Sequence, residues 1–170
     1  MPGSFTVQIP VAPYLKPYIT IRFGDPIPIN NKSLVGVFLL GVLEKENYHV
    51  SFNQSDKINR FQQFTEKITC VGPYSILRDI GWSLKQDHII QFNRFFEEHF
   101  DLDLHLFVNR NIKNGSRYAG YKQAIEEFAR IYRIDLEETI SYEALKKMEY
   151  RYRTKLSVNL SPQQKQVQLF

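Results

Sequence analysis

A stripe of apolar residues at three- and four-residue steps begins shortly after Gln86. Its members are Ile89, Phe92, Phe96, Phe100, Leu104 and Phe107. Residues at these steps lie on one face of an α-helix, so the stripe predicts a long helix with one buried face. The stretch FDLDLHLF at residues 100–107 also alternates apolar and polar residues, as a strand would. We favour the helix because the stripe continues on both sides of this stretch.

Shorter patterns fill the N-terminal half. The segments FTVQIP (residues 5–10), YHVSFNQ (48–54) and EKITCVGP (66–73) alternate apolar residues or are rich in β-branched ones, which favours strands of a small antiparallel sheet. A helical stripe that begins at Leu15 ends at Gly24, a typical C-cap residue. Ser33 is placed to cap a second helix that runs to about Lys45.

The C-terminal half contains two further helical patterns. The stretch NRNIKNGSRYAG at residues 109–120 breaks the long helix and is the best internal boundary in the sequence. A helix is predicted at about 119–132, and another from Ser141 to about Thr154. The residues expected to face the core are Ala124, Ile125, Phe128, Ile131 and Tyr132 on the first helix, and Leu145, Met148 and Tyr152 on the second.

These patterns predict an α+β fold that is mainly α. The sheet comes from the N-terminal half, and the C-terminal helices form a unit that resembles a helix-turn-helix in its order. Residues 1–109 form a mixed core, residues 110–155 form a basic helical unit packed on it, and residues 156–170 form a polar tail. A chain of 170 residues is long enough to bury a real core as one compact domain.

The composition excludes several classes of protein. Cys70 is the single cysteine, so no internal disulfide is possible, and its apolar surroundings favour a small buried hydrophobe over a nucleophile. The longest apolar run, LVGVFLLGVL at residues 34–43, is ten residues long, whereas a membrane span needs about 20. With no pattern of a secretory signal at the N-terminus, we expect a cytoplasmic protein that does not act at a membrane.

The basic charge is concentrated near the C-terminus. Residues 110–155 contain eleven Lys and Arg but seven Asp and Glu, an excess of four, which equals the formal net charge of the whole chain. Lys147, Arg151 and Lys155 follow one another at four-residue steps on the last predicted helix, so they form one ridge. We call this set the basic ridge. Fixed cations beside an aromatic ring are suited to contact with phosphate and sugar.

Two other interpretations of the last helix remain open. Cations near the end of a helix, and an acid such as Glu143 before a base such as Lys147, are common on purely solvated helices. A helix-turn-helix is also compatible with the order of helices, but the gap from Arg133 to Ile140 is too long for its usual turn. It requires that DLEET at residues 135–139 form a short middle helix.

Motifs for catalysis and for nucleotide loops are absent from the sequence, and we expect no catalytic residue, no cofactor and no metal. One acidic cluster could hold a divalent ion. It would consist of Glu98, Asp101 and His105 if the region is helical, or of Asp101, Asp103 and His105 if it is a strand. The stronger interpretation is a solvated face on which Asp101 and His105 form a weak pair.

Two stretches resemble a group of known proteins. They are VQIPVAPYLKPYITIRFG near the start and YKQAIEEFARIYRIDLEETISYEALKKMEYRYR near the end, about a third of the chain together. They resemble small uncharacterised proteins that bacterial mobile elements and prophages carry, some of which are described as DNA-binding. The resemblance transfers no site residues and implies only a role connected with nucleic acid.

The sequence therefore favours a non-enzymatic protein that binds nucleic acid, DNA before RNA, through the phosphate backbone. The residues expected to bind it are Lys146, Lys147, Tyr150, Arg151, Arg153 and Lys155 on the last helix, with Arg117 and Arg133 beside them. The alternative is a structural or scaffolding protein that acts by self-association or contacts with other proteins, without nucleic acid.

Overall fold

The computed structural model describes residues 3–43, 61–75, 85–112 and 117–164, with only the backbone given for residues 42, 43, 117–119 and 159–164. Within these ranges the chain forms three strands and five helices. They are β1 (Ser4–Val11), α1 (Leu15–Phe23), β2 (Ile27–Pro28), α2 (Leu34–Leu43), β3 (Glu66–Pro73), α3 (Gln86–Ile112), α4 (Arg117–Ile131) and α5 (Tyr142–Gln164). The predicted α+β class, mainly α, is confirmed.

The chain divides into two compact units, Met1–Glu97 and Glu98–Phe170. The division falls within α3, whereas the sequence places its boundary later, after residue 109. We refer to Glu98–Phe170 as the helical unit, because its described elements are the end of α3 together with α4 and α5.

The sheet has the strand order β1-β3-β2. Strands β1 and β3 pair antiparallel, as the sequence predicts, and their register places Ile9 opposite Ile68. The prediction of a purely antiparallel sheet is wrong, because β2 pairs parallel to β3. Pro26 and Pro28 flank Ile27, and residues without an N–H group are tolerated at a sheet edge, which is where β2 lies in the strand order. The predicted strand at residues 48–54 lies outside the described residues.

A buried amide joins α3 to β1 in the first unit. The side chain of Asn93 is 1% exposed. Its Oδ1 accepts a hydrogen bond from the backbone N–H of Ala12 at 3.0 Å, and its Nδ2 donates to the carbonyl of Pro10 at 2.9 Å. Buried polar groups need hydrogen-bond partners, and these bonds supply them to two backbone groups where the chain leaves β1.

The helix predictions are confirmed for the most part. Residues 86–112 form one helix, which excludes the strand interpretation of residues 100–107, and its stripe from Ile89 to Leu104 is buried. Ser33 caps α2, because its Oγ accepts a hydrogen bond from the N–H of Gly36 at 3.0 Å. Helix α1 ends at Phe23 with Gly24 as its C-cap, as predicted; the φ of 89° at Gly24 lies in the region that favours glycine, and its N–H donates to the carbonyl of Thr20 at 2.9 Å.

Two details of the C-terminal helices differ from the predictions. Ile131 is 43% exposed rather than buried, because α4 ends there and the chain turns at Arg133, whose φ is 52°. The N–H of Ile134 then bonds to the carbonyl of Ala129 at 2.8 Å, and both of these residues are buried instead. Helix α5 continues to Gln164, past the point where the polar tail was predicted to begin; residues 165–170 lie outside the described residues.

The condition for a helix-turn-helix is not met. Residues 135–139 form one hydrogen-bonded turn rather than a short middle helix. The Oδ1 of Asp135 accepts hydrogen bonds from the N–H groups of Glu137 and Glu138, and these two bonds lower the pKa of the Asp135 carboxyl. A carboxylate that closes its own turn in this way favours a turn over a helix interior.

Candidate functional site

The last helix begins at a side-chain cap. The Oγ of Ser141 accepts a hydrogen bond from the N–H of Ala144 at 3.2 Å, and Glu143 lies in the first turn, where a negative charge is favourable. Leu145 is fully buried, and Met148 and Tyr152 are half-buried, so this face packs into the helical unit as predicted. The remaining faces of α5 carry the basic residues.

All the predicted binding residues on α5 are exposed. They are Lys146, Lys147, Tyr150, Arg151, Arg153 and Lys155. Lys147, Arg151 and Lys155 lie at four-residue steps, which separates successive Cα atoms by about 6 Å along the helix axis. None of these three side chains makes an ion pair with a residue in the described ranges. Within the described part of the chain, the basic ridge is therefore a row of positive charges without a paired acid.

The other two cations of α5 lie close to acids and to tyrosine rings. Lys146 Nζ is 3.3 Å from Glu143 Oε2 and 6.0 Å from the ring centre of Tyr142. Arg153 Nη2 is 3.9 Å from a carboxylate oxygen of Glu149, and the Arg153 guanidinium lies 5.5 Å from the ring centre of Tyr150. Contacts of a cation with an aromatic ring at such distances are favourable.

The two arginines predicted to flank this surface are placed less directly. Arg133 is exposed at the turn after α4, and no described contact joins it to the cations of α5. Arg117 is the first residue of α4, and its side chain lies outside the described residues. The roles of both arginines in binding therefore remain predictions.

A pocket of about 730 Å³ lies between α4 and α5. Its lining includes three tyrosines and three cations, namely Tyr121, Tyr142, Tyr150, Lys146, Lys147 and Arg153, together with the carboxylate of Glu143. Pockets that hold small molecules have volumes of about 300–1,000 Å³ and combine aromatic walls with a few polar groups. We call this cavity the tyrosine pocket.

A buried carboxylate lies behind the tyrosine pocket. Glu149 is 2% exposed, and its two oxygens have different partners. The hydroxyl of Tyr121 donates a hydrogen bond to Oε2 at 2.5 Å, and the Nδ1 of His105 lies 3.1 Å from Oε1. Burial, followed by the hydrogen bond to Glu149, raises the pKa of the Tyr121 hydroxyl, which therefore stays protonated and donates.

The sequence did not predict this cluster. Glu149 was counted only as an acid on a basic helix, and His105 was assigned to a solvated face or an acidic metal cluster. One indication was present in the sequence: Glu149 follows Leu145 by four residues, so it lies on the core side of α5. The partners are 28 and 44 residues away from Glu149, and helical spacing gives no information about such pairs.

The proposed alternative of an acidic metal cluster is not supported. His105 is buried rather than on a solvated face, and its Nδ1 lies 3.1 Å from the carboxylate of Glu149. Across the described residues, no group of three or more His, Cys, Asp and Glu side chains is placed to hold a metal ion. Nor does any helix in the described ranges have the length and apolarity needed to cross a membrane.

Comparisons with protein-family models, curated proteins and solved structures found no match to this chain. A function for this chain must therefore be inferred from the basic ridge and the tyrosine pocket themselves.

Proposed function

We propose that the protein binds nucleic acid without catalysis, through the phosphate backbone and the exposed face of α5. The observation that carries the proposal is the basic ridge of Lys147, Arg151 and Lys155, whose charges have no acidic partner among the described residues. The ridge spans about 12 Å. One strand of B-DNA carries about three to four phosphates over that distance, so the charge density of the ridge is similar to that of the strand.

Among the described side chains, the lack of ion pairs distinguishes this ridge from Lys122 and Arg130 of α4. There, Lys122 lies 3.6 Å from Glu126, and Arg130 lies 2.6 Å from Glu127. A helix that is only solvated commonly carries such pairs, because they stabilise it by a few tenths of a kcal/mol. The ridge makes no such pair with any residue that the structure describes, so its cations are available to replace the counterions of a phosphate backbone.

The test is a titration of labelled duplex DNA by fluorescence anisotropy at several salt concentrations. Replacing Lys147 and Arg151 by Gln removes two phosphate contacts, so the slope of log K against log salt should fall by about two. The matched control replaces Lys122 and Arg130 by Gln, which removes the same charge from α4. Equal affinities and slopes for the wild type and the ridge variant, for duplex and single-stranded DNA alike, would exclude the proposal.

The alternative of self-association predicts a different result. A scaffolding protein would form a stable oligomer in light scattering and would not shift DNA even at low salt. The helical unit exposes Leu102 at 37% and Leu106 at 54%, four residues apart on α3, which gives such an oligomer one apolar site. A Leu102→Ser/Leu106→Ser variant would then become monomeric.

A further inference from the structure

Two of the side chains that line the tyrosine pocket contact a single buried carboxylate. Glu149 accepts the hydroxyl of Tyr121 and lies 3.9 Å from Arg153, and both of these side chains line the pocket. His105 contacts the other oxygen of Glu149 at 3.1 Å, which fixes the carboxylate from the interior. One wall and one cation of the pocket are therefore positioned before any ligand arrives.

The charge of the lining defines the ligand. Lys146, Lys147 and Arg153 contribute three positive charges, and Glu143 is the one acid among the residues that line the pocket. Lys147 belongs both to this lining and to the basic ridge, so the pocket and the ridge form one continuous surface on α5. A ligand that fits must combine anionic groups with a flat ring for the tyrosine walls.

We propose that the tyrosine pocket holds one unpaired nucleotide of a single strand, an inference that rests on the proposed function. Its base stacks on the ring of Tyr150, which is 59% exposed, and its phosphates contact Lys146 and Lys147. The bases of a duplex are stacked and paired, so a duplex would offer the ridge its phosphates and leave the tyrosine walls unused. Aromatic platforms beside a basic groove are the usual means of binding single strands.

The experiment compares a labelled oligothymidylate of about 12 nucleotides with its duplex, using fluorescence anisotropy. Wild-type protein should bind the single strand more tightly. Tyr150→Ala should lower the single-strand affinity by about 5- to 150-fold and the duplex affinity by a much smaller factor, because it removes a stacking ring and no charge. The matched control is Tyr74→Ala, since Tyr74 is 56% exposed but lies outside the pocket; it should change neither affinity.

The possible failures are distinguishable. If Lys147 and Arg151 are needed for binding but Tyr150→Ala has no effect on the single strand, the pocket assignment is wrong and the proposed function stands. If neither form of DNA binds, the proposed function fails and the pocket assignment fails with it. Competition by thymidine 5′-monophosphate as effective as that of the oligonucleotide would contradict strand binding and identify a site for free nucleotides.

Discussion

The Nδ1 of His105 lies 3.1 Å from the Oε1 of Glu149 inside the helical unit, where both side chains are buried. This contact joins α3 to α5, and the hydroxyl of Tyr121 adds α4 to the same carboxylate. A buried charge is tolerated only where several groups satisfy it, and Glu149 meets this condition through three side chains from three helices. The carboxylate therefore links the stability of the helical unit to the shape of the tyrosine pocket.

We expect Glu149→Ala to lower the free energy of unfolding by about 1–3 kcal/mol, because it leaves the buried ring of His105 without its partner. The measurement is urea denaturation followed by circular dichroism. The control is Glu143→Ala on the same helix, which removes a carboxylate that is 73% exposed and should cost less than about 1 kcal/mol. Equal midpoints for the two variants would show that the contacts of Glu149 contribute no stability.

The sequence predicted well what depends on local spacing. The stripe through Phe92 and Phe100 predicts α3, and the hydroxyl of Ser33 predicts the start of α2, because helix faces and caps are set by neighbours along the chain. Contacts between distant residues were missed. Asn93 bonds to backbone groups more than 80 positions away, and its sequence neighbours do not distinguish it from a solvated asparagine.

The same difference between local spacing and contacts of distant residues applies to the candidate site. The basic ridge could be predicted because Lys147, Arg151 and Lys155 repeat at four-residue steps, and the structure places all three on the surface. The tyrosine pocket could not be predicted, since Tyr121 comes from a different helix and the spacing that places Glu149 on the core side of α5 does not identify its partners. The two-residue strand β2 was missed for a related reason: its pairing with β3 depends on residues about 43 positions away.

A pair of glycines in α2 gives a second prediction. A Cβ at Gly36 would overlap the backbone carbonyl oxygen of Asn30, and it would lie 2.5 Å from the Oγ of the capping Ser33. At Gly41, in the same helix, an added Cβ meets no atom within 4 Å in the described part of the chain. Gly36→Ala should therefore destabilise the protein by about 1–3 kcal/mol, through overpacking against backbone.

Gly41→Ala is the matched control and should change stability in the opposite direction. It should raise the free energy of unfolding by about 0.5–1 kcal/mol, because alanine loses less conformational entropy in a helix than glycine. Thermal denaturation of the two variants against wild type provides the measurement. A destabilised Gly41→Ala, or an unchanged Gly36→Ala, would contradict the packing described at this helix.

The thiol of Cys70 gives two further predictions, the first of them on its reactivity. Cys70 is fully buried in β3, and this burial, with a smaller contribution from the charge of Asp25, raises its pKa to about 12. Because the thiolate is the reactive form, iodoacetamide at pH 8 should label the native protein at least about 10³-fold more slowly than the unfolded chain. Mass spectrometry with and without urea measures both rates, and comparable rates would contradict the burial of this side chain.

The same shift has a consequence for alkaline stability. The unfolded chain releases the Cys70 proton near its ordinary pKa, whereas the folded chain keeps it until about pH 12. A group whose pKa is raised by folding stabilises the protein fully below the ordinary value, and this stabilisation is lost as the pH rises through the folded value. Between about pH 9 and pH 12, wild type should therefore lose more stability than a Cys70→Ala variant, which lacks this group. Parallel pH profiles for the two proteins would mean that Cys70 ionises equally in the folded and unfolded states.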